Sequence, residues 1–430
     1  MTVADLAIIA GLVFAWGTLS ARLERFDMTA PIVFTVAGVL LTHGPLAPLG
    51  ITPGSEVVKL LTEATLALVL FSDASRVRLH QLRADRGLCL RLLGIGLPLT
   101  IGLGTLAAFI LPGVSGIWLA LLIGAALAPT DVALGAGMMV NRAVPARIRR
   151  LLNVESGLND GIATPVVLVA IAGAATGDHA ARAGPGAAVA ELALGLLIGA
   201  GIGGGGGWLV KVARGRGWVA EGFARAAVLG LTLCCYATSV ALGGNGFIAA
   251  FTGGLAFAAA GGPAARLVPF VEETGTMLSL LVWLLFGVVA VVPALEDLTW
   301  QTVAYAVLSL TVIRMLPVAV ALAGTRLGRP AVLFTGWFGP RGLASVVFAL
   351  LALEDLGEPA ARPALTVIAF TVLLSVLAHG LSAGPLASRY GPRLTPPPGA
   401  AAPAGLAELP ARPLIRRSPA AGRPAEEGNR

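Results

Sequence analysis

The sequence predicts an all-α polytopic membrane protein, and three observations lead to that prediction. Only 12% of the 430 residues are charged, whereas 56% are hydrophobic, and the mean hydropathy is +0.86. A soluble fold cannot bury so much apolar surface with so few charges to cover the rest. The apolar residues fall into intervals of about 20, the length that a helix needs to cross the hydrocarbon core. A soluble enzyme, a nucleic-acid-binding protein and a disordered regulator are therefore excluded.

Thirteen intervals meet this length criterion, and each is expected to form one membrane-spanning helix. No basic residue precedes the first interval, so a membrane helix is favoured there over a secretory signal peptide. The glycine run at 203–207 is expected to allow close contact between helices. The predicted spans cover residues 4–22, 30–47, 56–74, 87–111, 115–138, 151–176, 187–213, 224–243, 246–262, 270–292, 300–324, 330–353 and 363–388.

The basic residues support this count and indicate the orientation of the chain. Most of the 30 Lys and Arg residues lie at alternate ends of consecutive spans, on one side of the membrane. The opposite side holds only Lys59, Arg182 and Arg362, while Arg314 and Arg341 lie within spans. Because positive charge marks the cytoplasmic face, we expect the N-terminus outside and the C-terminus in the cytoplasm. The pI of about 10.1 then reflects topology and attraction to anionic lipids, with no nucleic-acid partner.

Thirteen spans divide into six, one and six, which is the pattern of an inverted repeat with broken helices at matching positions. The fifth span contains Pro129, and the twelfth, seven spans later, contains Pro340 within Gly339-Pro340-Arg341-Gly342. Proline removes a backbone donor, and groups freed at membrane depth must be buried in protein or line a cavity. We therefore predict that spans 5 and 12 are interrupted.

The remaining composition defines two regions and no cofactor site. Residues 1–390 are expected to form the membrane domain, and the proline-rich residues 391–430 a disordered cytoplasmic tail. Three cysteines in apolar segments and four scattered histidines predict neither a disulfide framework nor a metal or other cofactor. The histidines at 43, 80, 179 and 379 lie near span ends, where solvated or interfacial side chains are expected.

Ionisable residues at the bilayer centre cost at least ~2.5–3.5 kcal/mol each on insertion scales, so the few that the chain keeps there indicate function. Asp73 lies near the inner end of span 3. It can serve an inner cation pathway or pair at the surface with the arginines that follow it. The central residues are Asp131, Glu155, Asp160, Arg314 and Arg341.

Span 6 begins with a polar face. Ser156 precedes Asn159 by three residues and Asp160 by four, so their side chains lie on one side of the helix. The break in span 5 adds Thr130, Asp131 and a freed backbone carbonyl. Hard cations prefer oxygen ligands, and unwound helices commonly bind Na⁺ or H⁺. These groups predict a monovalent cation site, with a cap on its own half-helix as the alternative role for Asp131.

Asp160 is the predicted exchangeable carboxylate. Burial disfavours the charged form, so a partly dehydrated carboxylate holds either a proton or a cation. Competition between the two produces antiport when the site faces alternate sides of the membrane. Because Asn159 cannot titrate, we expect exchange of one cation for one proton, with no net charge moved.

Glu155 and Arg341 are predicted to form a structural salt bridge between span 6 and the broken span 12. Each charge is costly alone in the membrane, and pairing offsets most of that cost. Arg314 is the alternative partner, or it contacts the loosened backbone of span 5 or 12.

These residues lie in motifs that resemble the NhaP/NHE branch of monovalent cation:proton antiporters, and the resemblance covers about residues 1–390. The Pro-Thr-Asp and Glu-Ser-x-x-Asn-Asp elements at this spacing are specific, and Gly-Pro-Arg-Gly supports them. The motifs are Leu70-Phe71-Ser72-Asp73-Ala74, Ala128-Pro129-Thr130-Asp131, Val144-Pro145, Glu155-Ser156-Gly157-Leu158-Asn159-Asp160-Gly161 and Gly339-Pro340-Arg341-Gly342.

The resemblance implies a homodimer in the cell's inner membrane, with a dimerisation domain and a six-helix core. It implies electroneutral exchange of Na⁺ or Li⁺ for H⁺ by an elevator-like movement of the core, in the service of pH homeostasis. By matching position, the resemblance implies that Asp160 is the ion- and proton-binding carboxylate, that Asp131, Thr130 and Ser156 are ion ligands, and that Asn159 orients the site beside Asp131. It also implies that Glu155 and Arg341 form the core ion pair and that Asp73 lies near the inner funnel.

Three alternatives to Na⁺/H⁺ exchange remain at this point. Oxygen ligands do not define the size of the cavity, so K⁺/H⁺ exchange is the nearest. A solute symporter on the same scaffold would place an arginine at its substrate, and Arg341 would then lack a carboxylate partner. An intramembrane aspartyl protease would need Asp131 and Asp160 about 3 Å apart, sharing a proton. That reading is disfavoured because thirteen spans with inverted symmetry serve no purpose in it.

Overall fold

The computed structural model describes residues 3–23, 28–43, 55–76, 86–111, 114, 116–135, 138–139, 141, 144–175, 185–325 and 327–394. These residues are largely helical and contain no strand, and every predicted span holds at least one helix. The α-helices are α1 (Val3–Leu23), α2 (Ala30–His43), α3 (Ser55–Ser75), α4 (Arg86–Arg91), α5 (Leu97–Ile110), α6 (Ile117–Ala126), α7 (Ala146–Ala174), α8 (Pro185–Gly215), α9 (Glu221–Ala241), α10 (Gly246–Ala259), α11 (Ala264–Phe286), α12 (Val292–Glu296), α13 (Trp300–Leu310), α14 (Val312–Ala321), α15 (Arg329–Trp337), α16 (Leu343–Leu356) and α17 (Glu358–Leu394).

Helical stretches long and apolar enough to cross a membrane confirm a polytopic membrane protein. Helices α2, α6 and α10 are shorter and also apolar. The number of crossings, their orientation and the inverted repeat stay predictions. Among the described residues, eight stretches meet the length criterion, namely Asp5–Leu23, Gly87–Ile110, Ala146–Ala174, Val189–Gly215, Gly222–Ala241, Ala264–Glu296, Trp300–Ala321 and Glu358–Tyr390.

Predicted spans 5 and 12 are both interrupted, as their prolines indicate. Helix α6 ends at Ala126 and is followed by a non-helical stretch and a 3₁₀ turn over Val132–Gly135. Helix α15 ends at Trp337, and α16 begins at Leu343. Each interruption leaves backbone groups without helical partners, and these groups must be satisfied inside the protein.

Predicted span 11 is also irregular, which the sequence did not indicate. Thr311, with φ −110° and ψ −90°, separates α13 from α14. The last carbonyl groups of α13 therefore become available to side chains from other helices.

Glycines allow α8 and α10 to pack with their backbones in direct contact. A Cβ at Gly199 would strike the backbone of Ala249, and one at Gly203 would strike the backbone of Gly253. The expected role of the glycine run at 203–207 in close helix contact is thereby confirmed.

The main apolar core joins α3, α6, α7, α11, α13, α16 and α17. Large apolar side chains such as Phe14, Trp208 and Phe223 point outward instead. Lipid is the natural neighbour of such a surface, because its hydrocarbon tails are as apolar as these side chains.

Two expectations about the chain's periphery change. Helix α17 continues to Leu394, past the predicted start of the tail at residue 391. Residues 395–430, like His80 and His179, lie outside the described part of the chain. His43 is exposed at the end of α2, but the interfacial position predicted for His379 is wrong, since its side chain is 1% exposed. The ring of His379 finds hydrogen-bonding partners inside the protein.

Candidate functional site

The two interrupted helices meet at Asp131. Its backbone N–H donates to the carbonyl of Pro340 (2.8 Å), and its Oδ2 accepts from the backbone N–H of Leu343 (3.4 Å). Gly342 lies against the same carboxylate, where a Cβ would collide with it. Asp131 therefore caps the N-terminus of α16, the partner half-helix.

The polar face of α7 lies against the break in span 5. The side-chain amide of Asn159 donates to Thr130 Oγ1 (2.8 Å), and Ser156 Oγ accepts from the backbone N–H of Val132 (3.3 Å). The side chains of Thr130, Ser156 and Asn159 are buried. These two contacts flank Asp131 on both sides and join α7 to the crossing of the broken helices.

Asp160 lies next to this cluster. It follows Asn159 directly and lies one turn beyond Ser156, and it is only partly buried. The next residue, Gly161, packs on the ring of Phe251 from α10, and a Cβ there would collide with the ring. The structure thus brings Thr130, Asp131, Ser156 and Asn159 to one place, with Asp160 next to Asn159 in α7, while the binding of an ion by them stays a prediction.

Asp73 lies close to the same part of α7. Its side chain is 8% exposed, and a Cβ built on Gly157 would be 3.6 Å from its Cβ. The guanidinium of Arg76, which directly follows α3, pairs with Glu272. Asp73 is therefore a buried carboxylate beside the cluster, and its role in the cation pathway stays a prediction.

The buried ion pair joins Glu155 to Arg314, which corrects the predicted Glu155–Arg341 pair. Arg314 Nη1 donates to Glu155 Oε1 at 2.6 Å, and both side chains are almost fully buried. The guanidinium of Arg314 fills the space beside Gly339 where a Cβ would otherwise lie. Arg314 was the alternative partner, and it pairs with Glu155 because the guanidinium of Arg341 donates to backbone carbonyls instead.

Arg341 binds backbone carbonyls instead of a carboxylate. Its Nη1 donates to the carbonyls of Ala128 (3.2 Å) and Gly339 (3.5 Å), and its Nη2 donates to that of Ser309 (3.1 Å). These three oxygens belong to the break in span 5, the break in span 12 and the irregular end of α13. A guanidinium carries five donors in a fixed fork, so one fully buried side chain serves all three interruptions.

Sequence reasoning missed three further side chains at the interruptions. Ser345 Oγ donates to the carbonyl of Ala126 (2.6 Å), and Ser375 Oγ accepts from the backbone N–H of Arg341 (2.7 Å). His379 Nε2 lies 2.9 Å from the carbonyl of Trp337. Polar residues inside apolar helices, in a chain with two predicted breaks, are the signal that could have found them.

Comparison with known proteins gives one family. The model for "Sodium/hydrogen exchanger, transmembrane" matches residues 8–389. The K(+)/H(+) antiporter NhaP2 of Shewanella oneidensis is 27% identical over 371 residues, which are 85% of this chain and 63% of that protein. The K(+)/H(+) antiporter NhaP of Alkalimonas amylolytica is 26% identical over 387 residues, which are 88% of this chain and 66% of that protein. This chain thus spans about two thirds of their length.

A solved structure supports the fold. The sodium proton antiporter MjNhaP1 from Methanocaldococcus jannaschii superimposes with a TM-score of 0.72 and 17% sequence identity. The superposition covers 90% of this chain and 98% of that one, so the two share the fold over nearly the whole membrane domain.

Proposed function

The chain belongs to the sodium/hydrogen exchanger family of integral membrane transporters, and from that premise we propose that it exchanges a monovalent cation for protons across the membrane. One observation carries the proposal. The crossing of two interrupted helices touches the polar face of α7 through the Asn159–Thr130 and Ser156–Val132 hydrogen bonds, directly beside Asp160. Interrupted helices of this kind supply ion sites in secondary transporters.

The two aspartates of the cluster have different roles in this proposal. Asp131 is held at its backbone by Pro340 and at its carboxylate by Leu343, so it acts as a fixed acceptor that orients the site. Asp160 is partly exposed and serves as the carboxylate that binds cation or proton. Thr130 and Ser156 supply neutral oxygen ligands, and Asn159 orients Thr130.

The exchange follows from competition at Asp160. A partly dehydrated carboxylate is stable with a bound proton or a bound cation, and moving it between the two sides couples the two fluxes. Arg314 neutralises Glu155, so that pair does not add a second exchangeable carboxylate. One such group exchanges one cation for one proton, which makes the transport electroneutral.

The geometry disfavours a symporter of anionic solutes. Such a protein needs a helix N-terminus or an arginine facing its substrate. Arg341 is 0% exposed and donates to three backbone carbonyls, and Arg314 is paired with Glu155. The N-terminus of α16 is capped by Asp131, which repels an anion and favours a cation.

We propose Na⁺ or Li⁺ as the transported cation, with K⁺ as the second candidate. The structural relative is named a sodium proton antiporter, whereas the curated relatives are named K(+)/H(+) antiporters. Both ions accept the same oxygen ligands, so transport measurements have to decide between them.

The remaining architecture is proposed on the same premise. The chain forms a homodimer in the inner membrane, with thirteen spans, an external N-terminus and a cytoplasmic C-terminus. The core moves past the dimerisation domain as an elevator and exposes Asp160 to each side in turn. The distribution of Lys and Arg and the two interrupted helices seven spans apart support this topology.

Transport by inside-out vesicles tests the proposal. A pH-sensitive dye reports the proton gradient while Na⁺, Li⁺ and K⁺ are added in turn to vesicles that contain wild type or Asp160→Asn. We expect at least one cation to dissipate the gradient with wild type and none to do so with Asp160→Asn.

Asp297→Asn is the matched control, because Asp297 is an exposed carboxylate that pairs with Arg362. The hydrogen bonds from Arg362 lower the pKa of Asp297, so this carboxylate is ionised above its lowered pKa and does not exchange protons in a near-neutral assay. The control variant should retain wild-type transport. Intact antiport by Asp160→Asn would contradict the assignment of the exchangeable group.

A further inference from the structure

Helix α17 carries a polar stripe that no part of the proposed ion site uses. Ser375, His379 and Ser382 follow at intervals of four and three residues, so they lie on one face of the helix. Ser375 and His379 are buried, at 0% and 1% exposure. We call these three residues the α17 stripe. Buried polar groups inside an apolar span are costly unless they have partners, so their contacts show what they do.

All three residues bind the interruption of span 12. Ser375 Oγ accepts from the backbone N–H of Arg341 (2.7 Å), and Ser382 Oγ accepts from the indole N–H of Trp337 (3.0 Å). His379 stacks on the ring of Trp337, with 5.1 Å between ring centroids, and its Nε2 lies 2.9 Å from the carbonyl of Trp337. Trp337 is the last residue of α15, where helical carbonyls lose their intrahelical partners.

The ring of His379 lies between two backbone carbonyls. Its Nε2 is 2.9 Å from the carbonyl of Trp337, and its Nδ1 is 2.9 Å from the carbonyl of Ser375 in its own helix and 3.2 Å from Ser375 Oγ. A carbonyl oxygen only accepts, so a proton on Nε2 links α17 to Trp337, whereas a proton on Nδ1 serves the carbonyl of Ser375. Of these contacts, the one at Nε2 joins the ring to the end of α15.

We propose that His379 is a positioning residue for cation binding, which it serves by holding the interruption of span 12 in place. The interruption fixes Asp131 twice, through the carbonyl of Pro340 and the backbone N–H of Leu343. A shift of the segment between Trp337 and Leu343 therefore moves Asp131 relative to Asp160. This inference rests on the proposed antiport, because it concerns the affinity of the same ion site.

Three substitutions test the proposal in reconstituted vesicles. His379→Leu removes both ring nitrogens, whereas His379→Gln retains an N–H donor near the position of Nε2. Ser375→Ala removes the acceptor of the Arg341 backbone N–H. Ser388→Ala is the matched control, because Ser388 lies on the same helix, is exposed and bonds only to the carbonyl of Gly384 in its own helix.

The apparent KM for the cation separates positioning from mere stability. We expect His379→Leu and Ser375→Ala to raise it about tenfold at similar maximal rate per folded protein, as loss of one hydrogen bond to a buried group implies. His379→Gln should stay near the wild-type KM, and Ser388→Ala should equal wild type. An unchanged KM in His379→Leu, with only less folded protein, would overturn the proposal. A Gln variant as impaired as the Leu variant would also overturn it.

Hydrogen exchange distinguishes a failure of this inference from a failure of the proposed function. The backbone amides of residues 338–346 other than Pro340 should exchange faster in purified His379→Leu than in wild type, and this readout needs no transport. Absence of antiport in wild type together with faster exchange in the variant would refute the proposed function and keep the positioning role of His379. Equal exchange in the two proteins would overturn the positioning role of His379 whatever the transport result.

Discussion

Two aspartates within one cluster illustrate how the immediate surroundings of a residue decide its role. Asp131 accepts a backbone N–H from the N-terminus of α16 and donates its own backbone N–H to Pro340. Asp160 lies beside the hydrogen-bonded pair of Asn159 and Thr130 and is partly exposed. Both residues are partly exposed, so exposure does not separate them, and the hydrogen bond from the backbone N–H of Leu343 is what suits Asp131 to a fixed role.

The Glu155–Arg314 pair makes a stability prediction at the same scale. Glu155→Gln leaves a buried guanidinium unpaired, which should cost about 3–5 kcal/mol of unfolding free energy. The double variant Glu155→Gln, Arg314→Gln should lose clearly less than the sum of the two single losses, because neither charge is then isolated. Unfolding of the four proteins in detergent measures the coupling. Strictly additive losses would show that the pair does not stabilise the protein.

At the scale of elements, the crossing of the broken helices depends on space as well as on hydrogen bonds. Gly342 leaves room for the carboxylate of Asp131, and Gly339 leaves room for the guanidinium of Arg314. Arg341 then satisfies carbonyls from three irregular segments at once. Small residues and one buried cation together allow helices to be interrupted at membrane depth.

Gly342→Ala tests this packing directly. Its Cβ would collide with the carboxylate of Asp131, so we expect the apparent KM for the cation to rise, by about tenfold to a hundredfold if the shift approaches 1 Å. Gly328→Ala is the matched control, because its Cβ would meet only Pro330 at 3.7 Å. Vesicle transport with varied cation concentration measures both. Equal KM values in the two variants would contradict the proposed position of Asp131.

The positions of the breaks could be predicted from the sequence, but the partners of the freed backbone groups could not. Pro129 and Pro340 mark the interruptions because proline disrupts a helix locally, whatever the rest of the fold does. The choice between Arg314 and Arg341 as partner of Glu155 depends on how three helices approach one another. The irregular Thr311 and the buried His379 depend on the same packing, and no local pattern around either residue determines it.

At the scale of the whole molecule, exposed ion pairs are separate from the charges buried at the helix crossing. Arg362 pairs with Asp297 and Glu358, and Lys59 pairs with Asp355, on the predicted outer side. These side chains are exposed, so the pairs contribute little to stability. Glu155, Arg314 and Arg341 are buried at the helix crossing, which is where a transport site has to control access of ions and water.

Labelling of introduced cysteines tests the predicted orientation. Trp218, between α8 and α9, and Trp300, at the start of α13, are exposed by 65% and 71% and are predicted to lie on opposite sides. In a variant without Cys89, Cys234 and Cys235, a membrane-impermeant maleimide should label Trp300→Cys in intact cells and Trp218→Cys only after lysis. The reverse pattern would show that the N-terminus lies inside.

Proton release on cation binding tests the central claim most directly. Purified protein in weakly buffered detergent solution, at a pH where Asp160 holds its proton, is titrated with Na⁺, Li⁺ or K⁺ while a dye reports pH and calorimetry reports binding. The proposed competition predicts one proton released for each cation bound by wild type, and neither binding nor release with Asp160→Asn. Cation binding without proton release, or unchanged release from Asp160→Asn, would contradict it.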